Sequence, residues 1–195
     1  MNKNIIIKNI FTEEERQTLR SIIKDILSKD LNWLSEHPKD EQGNLINTAD
    51  LITMMKHDLG RIIIHNITIP ENIVNKLNQI IKNQGFDGYF YQDATTYWEY
   101  NYKYGNPKLR DHKDTTEADE TLHFDYQLDS TLDWAVTVED TPYILKDNDA
   151  LTFMGKVQEH GRPVIKFKEG DYLSNFLFRF NTKDTKELAK NTIKY

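Results

Sequence analysis

The stretch His112-Lys113-Asp114, answered by His160-Gly161-Arg162 further along the chain, decides how the rest is read. Residues that alternate along an extended segment point to the same side, so His112 and Asp114 can hold one ion between them. A histidine from a distant strand, His160, can close the set. Two imidazoles and one carboxylate on one face of an octahedral ion suit non-heme Fe(II), with the remaining positions open to substrates and O2. H-x-D is a short pattern, and the chain carries a second copy, His123-Phe124-Asp125. That copy alternates with Leu122, Phe124, Tyr126 and Leu128, which puts His123, Asp125 and Gln127 together on one face of a strand. The reading favours His112 and Asp114 as ligands. His123, Asp125 and Gln127 are left either on a solvated sheet face or lining a cavity where they touch a substrate.

Outward from these motifs, the C-terminal part reads as short strands separated by turn residues. They run over Asp93–Tyr104, Glu120–Leu128, Trp134–Glu139, Tyr143–Leu145, Ala150–Phe153, Val164–Phe167 and Leu173–Asn181. Gly105-Asn106-Pro107, Lys146-Asp147-Asn148-Asp149 and Lys168-Glu169-Gly170-Asp171 are the turns. Many short strands at close intervals predict a sandwich or barrel. The N-terminal part is mixed. Asn4–Ile10 is β-prone, and Thr12 with Glu15 three residues later is a capping box. Leu19, Ile22, Ile23, Ile26 and Leu27 follow at helical spacing. Leu31–Asn47 reads as a loop, Asp50–His57 as a short helix, and Ile62–Ile64 as a strand. Pro70 at a first helical position opens a second helix to about Asn83, and Gly85 ends it. The charged tail Lys183–Tyr195 reads as a frayed helix. The fold class expected is α+β: one domain over 1–195, with helical support over about 1–85 packed on one sheet of a β-core over about 86–182.

The order of residues from Tyr97 to Asn181 resembles the Fe(II)/2-oxoglutarate-dependent dioxygenases, in particular their prolyl-hydroxylase-like branch. The matching positions are Tyr102, Gly105, Leu109, His112, Asp114, Thr121-Leu122, Leu128-Asp129, Trp134, Val138, Asp149-Ala150-Leu151, Phe153, Gly155, His160 and Arg162. The resemblance implies a double-stranded β-helix, or jelly roll, with Fe(II) on His112, Asp114 and His160. It implies 2-oxoglutarate as co-substrate, O2 as oxidant, and hydroxylation of a peptidyl side chain or small metabolite with release of succinate and CO2. A carboxylate at Asp114 favours hydroxylation over halogenation, because halide would need that position. The far carboxylate of 2-oxoglutarate calls for a cation, and a guanidinium is the planar partner. Many members carry Arg-x-Ser after the distal histidine. Here the serine position is Ser174, and the arginine position is Tyr172. Arg162, two residues after His160, is the anchor expected instead, with Lys166 second and Tyr102 as a further co-substrate contact. Tyr102 belongs to a ladder of rings, Trp98, Tyr100, Tyr102 and Tyr104, placed on one face. Arg179 is out of phase with Ser174, Phe176 and Phe178, so it points to the opposite side.

Bulk properties fit this picture. The 195 residues are 38% hydrophobic and 29% charged, with a net charge of −6. No run is apolar and long enough for a membrane span, and the N-terminus lacks the features of a signal peptide. No cysteine is present, which removes thiolate ligands and nucleophiles and fits a reducing cytoplasm, the location expected. The acidic balance argues against nucleic acid as a partner. A peptide or small-molecule substrate is expected. Two alternatives stay open: a non-catalytic metal-binding β-sandwich domain, and a cupin-like metalloprotein.

Overall fold

The computed structural model describes residues 4–36, 52–55, 60–65, 67–86, 88–90, 95–105, 107–114 and 122–182. Two antiparallel sheets face each other, and two helices cover the outer side of the larger one. The strands in chain order are β1 (Ile5–Ile7), β2 (Ile52–Met55), β3 (Arg61–Ile64), β4 (Gly88–Phe90), β5 (Thr96–Asn101), β6 (Leu109–His112), β7 (Leu122–Ser130), β8 (Val136–Val138), β9 (Thr141–Tyr143), β10 (Ala150–Met154), β11 (His160–Arg162) and β12 (Tyr172–Thr182). The helices are α1 (Glu13–Glu36) and α2 (Glu71–Asn83). The larger sheet has the order β1-β10-β7-β12-β5-β3-β2, with β4 also on β12; the smaller is β6-β11-β8-β9. This alternation of strands between two sheets is jelly-roll-like.

Local sequence explains both helices. Thr12 and Glu15 form the capping box: the Glu15 N–H donates to the Thr12 hydroxyl at 3.2 Å, and the Thr12 N–H donates to the Glu15 carboxylate at 2.7 Å. Arg16 and Arg20 then tie α1 to the sheet through Asp129, Arg20 with two bonds of 2.8 Å. Pro70 sits at the N-cap position of α2, one residue outside the first helical position expected, where its carbonyl accepts from the Ile73 and Val74 N–H groups. Gly85 follows the helix at a φ of 85° that glycine tolerates without strain. Leu19 and Ile23 of α1 and Ile73, Leu77 and Ile81 of α2 are buried against Phe124, Tyr126, Phe176, Phe178 and Phe180. This apolar block is the principal core, and it fixes the phase of the larger sheet. Residues alternating with those phenylalanines face the smaller sheet.

Several expectations change. Asp50–His57 contains strand β2 rather than a helix, because its β-branched and long apolar residues pair with β3. Part of the presumed loop from Leu31 extends α1 to Glu36. Strands β1, β2 and β3 all join the larger sheet, so the N-terminal region supplies sheet as well as helical support. Val164–Phe167 is not a strand; the pairing falls on His160–Arg162. The aromatic ladder breaks at Asn101, after which Tyr102–Tyr104 form a single 3-10 turn. The tail Lys183–Tyr195 lies outside the described residues.

Candidate metal centre

β6 and β11 are neighbours in the smaller sheet, and their register sets His112 directly opposite His160. Two residues beyond His112, the Asp114 backbone N–H donates to the Gly155 carbonyl at 3.0 Å, which brings the carboxylate back between the two rings. The candidate ligand atoms of His112, Asp114 and His160 all lie within 4.8 Å of one another. Asp114 Oδ1 is 3.4 Å from His112 Nε2 and 3.8 Å from His160 Nε2.

The other nitrogen of each ring is fixed. His112 Nδ1 lies 2.8 Å from the Arg110 carbonyl, and His160 Nδ1 lies 3.1 Å from the Gln158 carbonyl. A carbonyl only accepts, so Nδ1 carries the proton and Nε2 presents a lone pair. Two imidazole lone pairs and a carboxylate oxygen therefore face one small volume. They need a proton or a cation among them, and backbone-oriented imidazoles of this kind are how proteins hold metal ligands. The electrostatics agree. Asp114 is held well below the usual carboxylate range, burial opposing this and His112, His123, His160 and Arg179 enforcing it. Asp114 raises His112, whereas burial lowers His160.

His123 completes the surroundings of the carboxylate. Its ring is 1% exposed and its Nε2 lies 3.1 Å from Asp114 Oδ2, so the second H-x-D copy supports the first rather than competing with it. The ring stands edge-on to Phe153 and fits over Gly155, where a Cβ would come within 2.1 Å of Cε1. Burial pushes His123 down to about 3. Its partners Asp125 and Gln127 are occupied elsewhere. Asp125 accepts from Asn175 Nδ2 at 2.5 Å and pairs with Arg162 at 3.4 Å, and Gln127 donates to the Leu145 carbonyl and to Asp147. Asp125 and Gln127 thus hold protein groups inside the sandwich and are not on a solvated face.

The remaining site candidates divide by face. Arg162 is buried between the sheets, but its charge is already answered: it donates to the Trp134 carbonyl at 2.7 Å, pairs with Asp125, and lies over the Trp134 ring. Tyr172 and Ser174 lie on the outer side of β12, in a crevice with Arg20, Lys24, Tyr97, Glu99 and Asp129 beside α1. They are on the wrong side of the sheet to meet a ligand at His112. The reason is the phase of β12: Phe176 and Phe178 go to the helix-covered core, and Ser174 goes with them. Arg179 does point to the opposite side from Ser174, and that side is the metal side. It donates to Thr96 at 3.2 Å and its charge lowers His123. Tyr102 is 48% exposed in its 3-10 turn, so it presents no hydroxyl to the interior ladder that Trp98 and Tyr100 begin. Arg61, which the sequence reading missed, also lies on the inner side, over Trp98 and Tyr100; a lone charge ahead of Ile62-Ile63-Ile64 is the signal that could have found it.

No family model matches the chain, and no curated protein matches it significantly. Solved structures do share its fold. EvdMO1 aligns with a TM-score of 0.63 at 13% identity over 93% of this chain, which spans 48% of that protein. A prolyl hydroxylase from Trichoplax adhaerens, in complex with a peptide of the hypoxia inducible factor oxygen degradation domain, gives 0.54 at 10% identity over 96% of this chain and 87% of the other. HygX from Streptomyces hygroscopicus, with nickel and 2-oxoglutarate bound, gives 0.55 at 9% identity over 93% and 84%. At these identities the likeness is one of fold alone. Among the described residues, no helix is long and apolar enough to cross a membrane.

Proposed function

We propose that this chain is an Fe(II)- and 2-oxoglutarate-dependent oxygenase built on a double-stranded β-helix, with His112, Asp114 and His160 as the metal ligands. One observation carries the reading: two imidazoles with Nδ1 committed to backbone carbonyls turn their free Nε2 atoms toward a single carboxylate. The donor set fits the ion, since nitrogen and oxygen ligands in a 2-His-1-carboxylate set leave positions open. When bound, Fe(II) would activate O2 and 2-oxoglutarate would supply electrons through its decarboxylation to succinate and CO2.

The protein's own part is positional. With an ion bound, His112 and His160 would be neutral, each giving it the Nε2 lone pair. Asp114 brings one negative charge, and His123 donates to its second oxygen, which leaves Oδ1 for the ion. Val136, Val138, Leu151 and Phe153 make an apolar wall beside His160. HygX also occurs with hygromycin B, and the prolyl hydroxylase holds a peptide, so a small metabolite and a peptidyl side chain are the two substrate classes proposed here for hydroxylation. The paired state of Arg162 favours a second reading, a metal-binding domain without 2-oxoglutarate.

Loading the protein with Fe(II) under argon, then adding 2-oxoglutarate and O2, tests the choice. Succinate formation that disappears in His112→Ala and His160→Ala supports the oxygenase. Stoichiometric metal binding without succinate supports the second reading.

A further inference from the structure

Arg61 is a buried cation whose charge no carboxylate among the described residues balances. It opens β3, is 7% exposed, and has no acidic oxygen within ion-pair distance among the described residues. The register of β3 on β5 explains where it points. Ile62 and Ile64 go to the helix-covered core, so Arg61 and Ile63 face the smaller sheet together with Trp98 and Tyr100. Its guanidinium lies 4.5 Å above the Trp98 ring, and Nη1 donates to the Tyr100 hydroxyl at 2.9 Å. A guanidinium has five N–H donors, and a ring face accepts none of them as a carboxylate would. Arg61 Nε is buried without an acceptor, and so is Trp98 Nε1 beside it. Two neighbouring orphaned donors, one of them charged, ask for an anion with two oxygens.

The interior acid that could have served is committed. Asp125 is held by Arg162 and Asn175, so Arg162 has its counter-ion and Arg61 does not. The inner face links Arg61 to the candidate metal centre: Arg179 stands opposite His123 in the register of β12 on β7 and donates to Thr96 on β5, the strand that carries Trp98 and Tyr100. Asn175, opposite Trp98 on β12, makes the region between Arg61 and Asp125 continuous.

We infer that Arg61, with the Tyr100 hydroxyl and Trp98 Nε1, forms a carboxylate-binding site inside the sandwich, and that it takes the far carboxylate of a 2-oxo acid held at the metal. This rests on the function proposed above and moves the anchor from Arg162 to a residue outside the motif region.

The test compares 2-oxoglutarate with 2-oxobutyrate, which keeps the chelating 2-oxo acid but lacks the far carboxylate. Metal-loaded protein is titrated with each, reading the chelate absorbance and quenching of tryptophan fluorescence. Wild type should bind 2-oxoglutarate at least about tenfold more tightly, the equivalent of one charge-assisted contact. In Arg61→Met the ratio should fall to near one with metal affinity unchanged, and Arg61→Lys should fall between. Thermal unfolding of metal-free Arg61→Met should be no worse than wild type, because a buried uncompensated charge is removed; a purely structural arginine would lower it. An unchanged ratio in Arg61→Met overturns the inference. If neither 2-oxo acid binds the metal-loaded wild type, the proposed function fails separately. Glutarate then decides the site: protection against unfolding in wild type but not in Arg61→Met keeps it, and equal response in both overturns it.

Discussion

Gly155→Ala is the smallest change that should disable the metal centre without touching a ligand. A Cβ at Gly155 would stand 2.1 Å from Cε1 of His123 and 2.5 Å from both ring nitrogens. Ordinary contact begins at 3.4 Å, so the ring must retreat by roughly 1.3 Å. It has nowhere to go: it is 1% exposed and its centroid is 5.2 Å from that of Phe153. Retreat by that amount stretches the 3.1 Å contact to Asp114 beyond hydrogen-bond range, and it disturbs the turn whose Gly155 carbonyl accepts from the Asp114 N–H. Overpacking of a tight interior costs about 1–3 kcal/mol. Loss of the hydrogen bond that orients a ligand costs about 10–100-fold in metal affinity. Both are measurable, by chemical denaturation of the metal-free protein and by competitive titration with a chromophoric chelator. Adding His123→Ala makes room for the new methyl, so the double variant should be no less stable than His123→Ala alone while keeping the weakened metal affinity. A Gly155→Ala protein with wild-type stability and affinity, or stability losses that simply add in the double variant, would refute the reasoning.

Other outcomes follow from the same geometry. His112→Ala and His160→Ala should each abolish tight metal binding, whereas His123→Ala should weaken it by about 10–100-fold and leave it detectable, as equilibrium dialysis will show. Arg20→Ala, which removes a two-point clamp between α1 and Asp129, should cost about 1–2 kcal/mol in denaturant unfolding and leave metal affinity alone. Metal-free protein should lose stability as pH falls below about 6.5. Burial holds His123 down to about 3 and also lowers His160, so the unfolded chain takes up protons that the folded chain refuses. His112, which Asp114 raises, opposes this, since its contribution is present at low pH and lost as pH rises. His123→Gln should flatten the profile, and melting temperatures from pH 7.5 to 5 will show whether it does.

That the structure brings His112, Asp114 and His160 together was legible because H-x-D alternation and a distant histidine need no knowledge of the sheet phase. The capping box of α1 and the apolar face of α2 were legible for the same reason, each being set within one or two turns of chain. The faces of β12 were not. Ser174, Phe176 and Phe178 share a side by alternation, but only the packing of α1 and α2 decides that this side is the core. Once the phenylalanines are assigned there, Tyr172 and Ser174 leave the site and Arg179 enters it. Arg162 lies in the interior, yet its pairing with Asp125 is a contact between residues 37 positions apart, invisible to any local pattern. The aromatic run illustrates the same limit. Trp98 and Tyr100 obey strand alternation, and the 3-10 turn at Tyr102 ends it, turning that ring to solvent.

The most direct measurement of the central claim is anaerobic absorption spectroscopy with Fe(II) and 2-oxoglutarate added in turn. A weak visible charge-transfer band that requires both components and vanishes in His112→Ala is the result expected for a 2-oxo acid chelated to an ion on His112, Asp114 and His160. Iron bound by the protein with no band on adding 2-oxoglutarate, or a band that survives in His112→Ala, would contradict it.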